Sequence, residues 1–487
     1  MDFLNGLLAV MTPEYLAYSF TGCLLGTLVG VLPGVGAASA VAILFPFTTV
    51  LPPTGMIITM AAIYYGAQYG GSTTAILVNV PGEVSSMVTA LDGYEMTKRG
   101  KAGPALAMAA IASFLAGIAG AVMVALVGPS VARLALLFGP AEYLGLGLFS
   151  LTAIAALAGA SLLRAVLVAL FGMLLVSVGF DDSSGLPRLT FGQAALLQGF
   201  DLVPVMIGLF GIGEVLSSLQ EAAGPAITNR IGKLMPDPDE MRAGLAAAAR
   251  ATGISLILGL LPGMMPSIGS FLSYSVERYR SREPQRFGKG AIEGVASAEA
   301  ANNATAMANL IPLLGLGIPT GPTMALMLAA FTMYGIVPGP LLFTQQANLV
   351  WALIGSFFIG NVILLILNLP LVGFWVRLST IPYPILAPII LAICTVGAYS
   401  TRSSMFDVWT CTLFGLLGWI MKARGWPLAP LVLAFVLGPM IERAGRQVLA
   451  ISPELLLHRP AFWIFIVLGL TVIWASRRLS VGGDLTD

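Results

Sequence analysis

Long uninterrupted apolar runs set the pattern of this chain, and polar residues are confined to short stretches between them or gathered in a few clusters inside them. The runs at 347–376 and 461–475 hold no charged residue. A hydrocarbon core about 30 Å thick takes about 20 apolar residues per helix, so runs of this length predict membrane spans, and roughly 12 would fit in the chain. Spans are expected near 104–127, 142–159, 162–179 and 199–219. The runs are continuous rather than alternating and rich in Leu, Ala and Gly, which predicts helices and not a membrane β-barrel. The predicted fold class is therefore an all-α polytopic membrane protein.

Composition agrees: of 487 residues, 57% are hydrophobic and 10% charged, against about 25% charged in an ordinary soluble domain. The first Lys or Arg is Lys98, so no basic segment of a cleavable signal peptide precedes the first apolar run, and the whole chain is expected to stay in the membrane. Cys23, Cys394 and Cys411 are isolated in apolar surroundings and predict packing residues, not a disulfide framework or a zinc site. A net charge of +1 gives no basis for a nucleic-acid partner.

A pattern recurs along the chain. Gly30-Val31-Leu32-Pro33-Gly34 returns as Gly259-Leu260-Leu261-Pro262-Gly263, an offset of 229 residues (262 minus 33). A polar, small-residue element follows each copy: 65–82, ending in Asn79-Val80-Pro81-Gly82, and 299–312, with Asn302, Asn303, Thr305 and Asn309 before Pro312. Pro81 and Pro312 stand 231 apart (312 minus 81). Bases collect on the cytoplasmic side in short loops, and their positions reverse between the copies: Lys98, Arg99 and Lys101 follow the first polar element, whereas Arg278, Arg280, Arg282, Arg286 and Lys289 precede the second. The reversal predicts two inverted-topology repeats containing broken or re-entrant helices around the LPG motifs, an arrangement known in secondary transporters. It divides the chain into an N-terminal membrane half at 1–230, an inter-half loop at 231–245 and a C-terminal membrane half at 246–487.

Within these halves, Pro33, Gly34, Gly36, Pro262 and Gly263 fall where a membrane helix would otherwise run, and Gly317 and Pro319 form a further break in Gly315–Pro322. Proline removes a backbone hydrogen bond and glycine lets the backbone open. Such openings are tolerated in hydrocarbon only where protein or a watery cavity satisfies them. Ser72, Thr73, Thr74, Asn79, Asn302, Asn303, Thr305 and Thr320 place hydroxyls and carboxamides among apolar neighbours. They are candidate substrate-binding groups as donors to an anion; with freed backbone carbonyls near Gly34, Asn79, Gly263 and Asn303, they are equally candidate Na⁺ ligands. Close helix packing through small polar residues is a third use. Glu83 and Glu299 are candidates for the coupling ion or proton, since ionisable groups at membrane depth are costly and functional when present; Glu83, followed by Asp92, Glu95 and Lys98, also fits a helix end in water. Asp181, Asp182 and Arg188 suggest a solvated loop, and His458 an interfacial position.

No phosphate-binding loop, no His-Glu metal motif and no paired membrane aspartates are present, so neither an ATPase nor an enzyme is predicted, and no cofactor beyond Na⁺ or H⁺ as coupling ion. A transporter remains, with a channel and a non-transporting membrane scaffold as alternatives. The motifs GVLPGVG at 30–36, YYGAQYGGSTTAILVNVPGE at 64–83, Gly259–Gly263, EGVASAEAANN at 293–303 and Gly315–Gly321 resemble the large membrane subunit of the tripartite tricarboxylate transporters over nearly the whole length. The resemblance implies a multi-pass protein of the bacterial cell inner membrane that works with a small membrane subunit and a periplasmic solute-binding protein. It also implies import of citrate or another carboxylate from the lipid bilayer's outer side, driven by an ion gradient.

Overall fold

Proline and glycine decide where the helices of this chain start and stop. In the computed structural model, residues 2–32, 34–159, 161–181, 184–220, 232–378, 381 and 383–481 are described; Pro33 of the first LPG motif lies outside them. Among the described residues, α1 (Asp2–Val10), α2 (Pro13–Gly30), α3 (Ala37–Thr48), α4 (Pro53–Val78), α5 (Ser86–Lys98) and α6 (Ala102–Ala135) lead into α7 (Pro140–Leu157) and α8 (Leu162–Val176). A short antiparallel hairpin pairs β1 (Gly179–Phe180) with β2 (Pro187–Arg188). Then come α9 (Leu202–Met206), a π-helical stretch at Ile207–Ile212 and α10 (Gly213–Ser218).

The second part of the chain begins with α11 (Pro238–Leu258), α12 (Pro266–Arg280), α13 (Ile292–Ala308), α14 (Leu310–Leu316), α15 (Pro322–Met333) and α16 (Leu342–Gln345). It closes with α17 (Ala347–Asn368), α18 (Val372–Leu378), α19 (Tyr383–Arg402), α20 (Met405–Ala423), α21 (Ala429–Ile451) and α22 (Pro460–Val481). The all-helical expectation holds. Five helices, α6, α7, α11, α17 and α19, are long and apolar enough to cross a membrane, and five further apolar stretches are shorter.

The centre of the molecule is made of α2 against α4, α11 against α13, and α6 against both α13 and α17. These contacts are backbone-close because of glycine. A Cβ on Gly26 would lie 2.3 Å from the Ile63 carbonyl oxygen, and one on Gly30 would lie 2.4 Å from that of Ala67. Small residues at a helix interface allow such an approach, and van der Waals contact then replaces the hydrophobic drive that lipid does not supply. Around the centre, α7 packs on α22 and α21, α21 on α8, and α20 on the π-helical stretch and α10.

The helix breaks occur where the chain bends left-handed. Gly34 (φ 81°) and Gly263 (φ 87°) adopt matching conformations after α2 and α11, which side chains with a Cβ reach only at a cost. Helix α4 ends in Asn79 with φ 56° and ψ 27°. The corresponding left-handed end in the second part is Gly317, after α14, with φ 70°. Pro312 sits inside α14, so the sequence pairing of Pro81 with Pro312 misplaces the second break: Pro319, two residues after the left-handed Gly317, stands where Pro81 stands after Asn79. Asn309 is helical, and Pro312, in the first turn of α14, has no intrahelical bond to lose.

Two smaller expectations change. The loop expected at 231–245 gives way to α11 from Pro238 onward, because Asp237 and Glu240 form a capping box with proline at the first helical position. The segment expected as a solvated loop around Arg188 is the β1–β2 hairpin, held down by Arg188 to Glu442 at 2.6 Å and Arg446 to Asp181 at 2.9 Å; Asp182 lies outside the described residues. The three cysteines are free and buried, and His458 is exposed.

Candidate functional site

Two cavities flank the α4–α13 region, and they differ in chemistry. The larger is an open cleft of about 570 Å³. Four helices begin on it: α3 through Gly36, Ala37 and Ser39, α5 through Val84 and Ser85, α12 through Met265, Pro266 and Ser267, and α15 through Gly321, Pro322 and Thr323. The local sequence explains this. Each of these helices follows a break made by glycine or proline, so its first turn is turned inward with backbone N–H groups that have no intrahelical partner. Those groups and the aligned peptide dipoles favour negative charge.

Side chains complete the cleft. Tyr64, Gln68, Asn309 and Thr320 line it, as do Glu83, Glu214 and Lys422. Lys422 pairs with Glu214 at 2.6 Å across the rim formed by α20 and α10. Glu83 is half-buried on the cleft wall and accepts from Ser85 and, at 3.2 Å, from Asn302 Nδ2. The Gln68 amide, turned with its nitrogen toward Glu83, donates to both carboxylate oxygens and, at 2.9 Å, to Asn302 Oδ1. The loop carrying Glu83 is held by backbone contact: Gly82 N donates to Gly71 O at 3.3 Å, and a Cβ on Gly82 would lie 2.6 Å from the Gly30 carbonyl oxygen.

Asn309 shows how a broken helix is satisfied at this depth. With its amide nitrogen facing the break, it donates to Gly259 O at 3.0 Å and Met264 O at 3.2 Å and accepts from Thr320 Oγ1 at 3.2 Å. One carboxamide thus ties both ends of the LPG turn to the start of the α15 break, and these two carbonyls are capped by protein.

The smaller cavity, about 20 Å³, is an interior chamber lined by Tyr69, Ser72 and Thr73 of α4, Ser113 of α6, Glu299 of α13 and Asn368 at the end of α17. Glu299 is fully buried. Its Oε1 accepts from Ser72 Oγ at 2.7 Å and from Thr89 Oγ1, and its Oε2 from Ser113 Oγ at 3.2 Å. Asn303 Nδ2 donates to Ser113 Oγ at 2.7 Å, which leaves the serine proton free to point at the carboxylate.

The candidates from sequence therefore separate into groups. Gly34, Gly36, Glu83 and Thr320 meet on the cleft, and Asn302 joins them through Glu83. Ser72, Thr73 and Glu299 meet in the chamber, with Asn303 behind Ser113. The others lie elsewhere. Thr74 bonds to its own helix at Gly71 O, 3.2 Å. Asn79 is exposed and serves as the left-handed end of α4. Thr305 packs on Gly269, Gly263 beside Pro262 abuts Ile154 of α7, and Gly317 before Pro319 abuts the Pro338 carbonyl. Gly34 lies on the cleft, Gly263 against Ile154, Asn79 at the exposed end of α4 and Asn303 behind Ser113. Gln68, Thr89, Ser113 and Lys422 are the residues that sequence reasoning missed; a glutamine in an apolar helix was a readable signal for the first, and nothing local marked the hydroxyls. Among the described residues, no group of three or more His, Cys, Asp or Glu comes together.

The chain was compared with known proteins. It is 45% identical over 448 residues, 92% of its length and 89% of the relative's, to an uncharacterized 52.8 kDa protein in the TAR-I ttuC' 3' region of Agrobacterium vitis. A second protein of that organism, from the TAR-II ttuC' 3' region, is 50% identical over 196 residues, 40% of this chain and 81% of that one. No solved structure matches. Residues 16–433 match the tripartite tricarboxylate transporter TctA family, and the chain, with a cleft that four helix N-termini face, belongs to that family.

Proposed function

We propose that the chain is the translocation subunit of an ion-gradient-driven, binding-protein-dependent importer of a di- or tricarboxylate, working in a bacterial inner membrane with a small membrane subunit and a periplasmic solute-binding protein. As a TctA-family member it is the membrane component of a tripartite transporter. The observation that carries the finer reading is the convergence of the first turns of α3, α5, α12 and α15 on one cleft of about 570 Å³.

A carboxylate delivered by the binding protein enters this cleft and takes hydrogen bonds from the first-turn amides and from Ser39, Ser267, Thr320 and Tyr64. The dipoles supply positive potential without a buried arginine, and Lys422 at the rim adds a formal charge that substrate shares with Glu214. Glu83, on the same wall, raises the cost of an anion there unless a cation or proton accompanies it, which ties substrate entry to ion entry. The recurrence of a left-handed glycine after α2 and α11 and of a left-handed residue after α4 and α14 supports reading the two halves as inverted repeats. Displacement of this central group of helices against α7, α8 and α19–α22 exposes the cleft to alternate sides.

The test is uptake of radiolabelled citrate and a panel of mono- and dicarboxylates into proteoliposomes holding this chain, its small subunit and a loaded binding protein, with and without a Na⁺ or H⁺ gradient. Accumulation that needs a gradient and is lost in Asn302→Ala is the expected result. Equilibration regardless of gradient would mean a channel, and absence of flux for every carboxylate would leave a scaffold.

A further inference from the structure

The Glu299 chamber lies about one helical turn along α13 from Asn302, which donates to the cleft carboxylate Glu83, and the carboxylate reading above does not use it. Ionised, Glu299 would place a negative charge at zero exposure, and no Lys or Arg lines the cavity to balance it. Three hydroxyls donate to it, but neutral dipoles offset only part of the cost of a desolvated charge in this environment.

A second, independent observation points to what is missing. The Tyr69 hydroxyl and the Asn368 carboxamide oxygen both belong to residues lining the chamber, both residues are at least nine-tenths buried, and neither atom has a hydrogen-bond partner. Asn368 Nδ2 is already committed to Leu364 O at 2.9 Å, which leaves the oxygen as its open end. Buried polar atoms are rarely left without a partner, so two in one cavity call for an occupant. The cavity, at about 20 Å³, holds about one water-sized body.

We infer that the chamber is a binding site for a single desolvated Na⁺, separate from the carboxylate cleft and coordinated by Glu299, Tyr69, Asn368 and the hydroxyls of Ser72 and Ser113. Every available donor is an oxygen, the set that hard cations take and softer metals do not. One carboxylate among neutral oxygens balances one positive charge, whereas Ca²⁺ sites gather several carboxylates. A proton on Glu299 would neutralise the carboxyl but leave the Asn368 oxygen bare, and a water would satisfy that oxygen but leave the charge, so without a cation the chamber needs a proton and a water together. A monovalent cation does both.

The site also has a physical route to the cleft. Glu299, Asn302 and Asn303 share one helix, Asn302 holds the cleft carboxylate Glu83 at 3.2 Å, and Ser72 of the chamber meets Ser86, at the start of the α5 helix, at 3.4 Å. Cation occupancy pulls Ser72 and Glu299 together and thereby fixes the α4–α13 spacing that orients Glu83. This coupling rests on the translocation reading; the binding itself does not.

The experiment measures ²²Na⁺ binding to the chain purified with its small membrane subunit, in the absence of any carboxylate, by scintillation proximity at constant ionic strength with choline. Saturable binding is expected, weakened at least tenfold in Glu299→Gln and severalfold in Tyr69→Phe and in Asn368→Leu, and unchanged in Glu454→Gln, a loop carboxylate far from the chamber in sequence. Should Glu299→Gln fail to fold, Tyr69→Phe, which removes one hydroxyl only, carries the test. No saturable binding, or binding that survives all three chamber variants, overturns the proposal, as does binding lost in Glu83→Gln and retained in Glu299→Gln, which would put the ion in the cleft. Proton-driven carboxylate uptake without ²²Na⁺ binding would sink this inference and spare the function above; ²²Na⁺ binding without carboxylate flux would do the reverse.

Discussion

The cleft and the chamber offer charge to a ligand in opposite ways. The cleft presents backbone: four helix starts whose N–H groups exist only because glycine and proline broke the helices before them. The chamber presents side-chain oxygens from four unbroken helical segments, around a fully buried carboxylate. Broken backbone is suited to a large anion of variable shape, because donors in a first turn are spread over several ångströms and stay fixed in the scaffold. Converging side chains suit a small body whose position must be defined to tenths of an ångström. On the proposed reading, helix irregularity marks the place for the large ligand and helix regularity the place for the small one.

The comparison breaks first at Glu299. In Glu299→Gln, gradient-driven accumulation of carboxylate in proteoliposomes should fall by about 5–150-fold, the range of a typical coupling free energy, while carboxylate protection of a cysteine introduced on the cleft stays intact. Loss of both together would merge the two sites into one. Gly82→Ala addresses the cleft alone: its Cβ would lie 2.6 Å from the Gly30 carbonyl and from the Gly71 Cα, and overpacking of this sort costs about 1–3 kcal/mol. A lower melting temperature of the purified protein with ²²Na⁺ binding retained is the expected pair of results.

Asn309→Ala strips the carbonyls of Gly259 and Met264 and the Thr320 hydroxyl of their common partner. A destabilisation of about 1–2 kcal/mol should follow, read as a lower denaturation midpoint, and faster hydrogen exchange at 259–266 should localise it to the second LPG turn. The smallest effect belongs to Lys422→Ala. Lys422 is part-exposed on the rim and paired with Glu214, so its loss should raise KM for carboxylate by about twofold to fivefold, the worth of a solvent-screened pair, with kcat nearly unchanged. A collapse of kcat would move Lys422 from the rim into the translocation step itself.

Much of the cleft was readable before folding because its cause is local. Proline and glycine at 30–36 and 259–263 dictate a break wherever they stand, and α2 and α11 do end there. The break in Gly315–Pro322 was readable for the same reason, and α14 does end at a left-handed Gly317 with φ 70°; what misled was the equal spacing of Pro81 and Pro312, since Pro312 lies inside α14. The chamber was half readable. Glu299 and Ser72 stand out as polar residues in apolar runs, but Thr89 and Ser113 are ordinary hydroxyls on two other helices, and only the packing of α5 and α6 against α13 brings them to the carboxylate. Lys422 shows nothing of the cleft in sequence; its place there follows from the contact between α20 and α10, which no periodicity encodes.

The order of synthesis gives the chamber a history. Ser72 precedes Glu299 by 227 residues, and at elongation rates of about 5–20 residues per second the ribosome needs about 10–45 s to cover that distance. The hydroxyls of Ser72, Thr89 and Ser113 are therefore in the bilayer well before α13 emerges, so the acidic helix enters beside donors that already await it. Asn368 comes later still and closes the wall. A chain cut before α17 would lack the Asn368 oxygen and leave that side of the Glu299 chamber open.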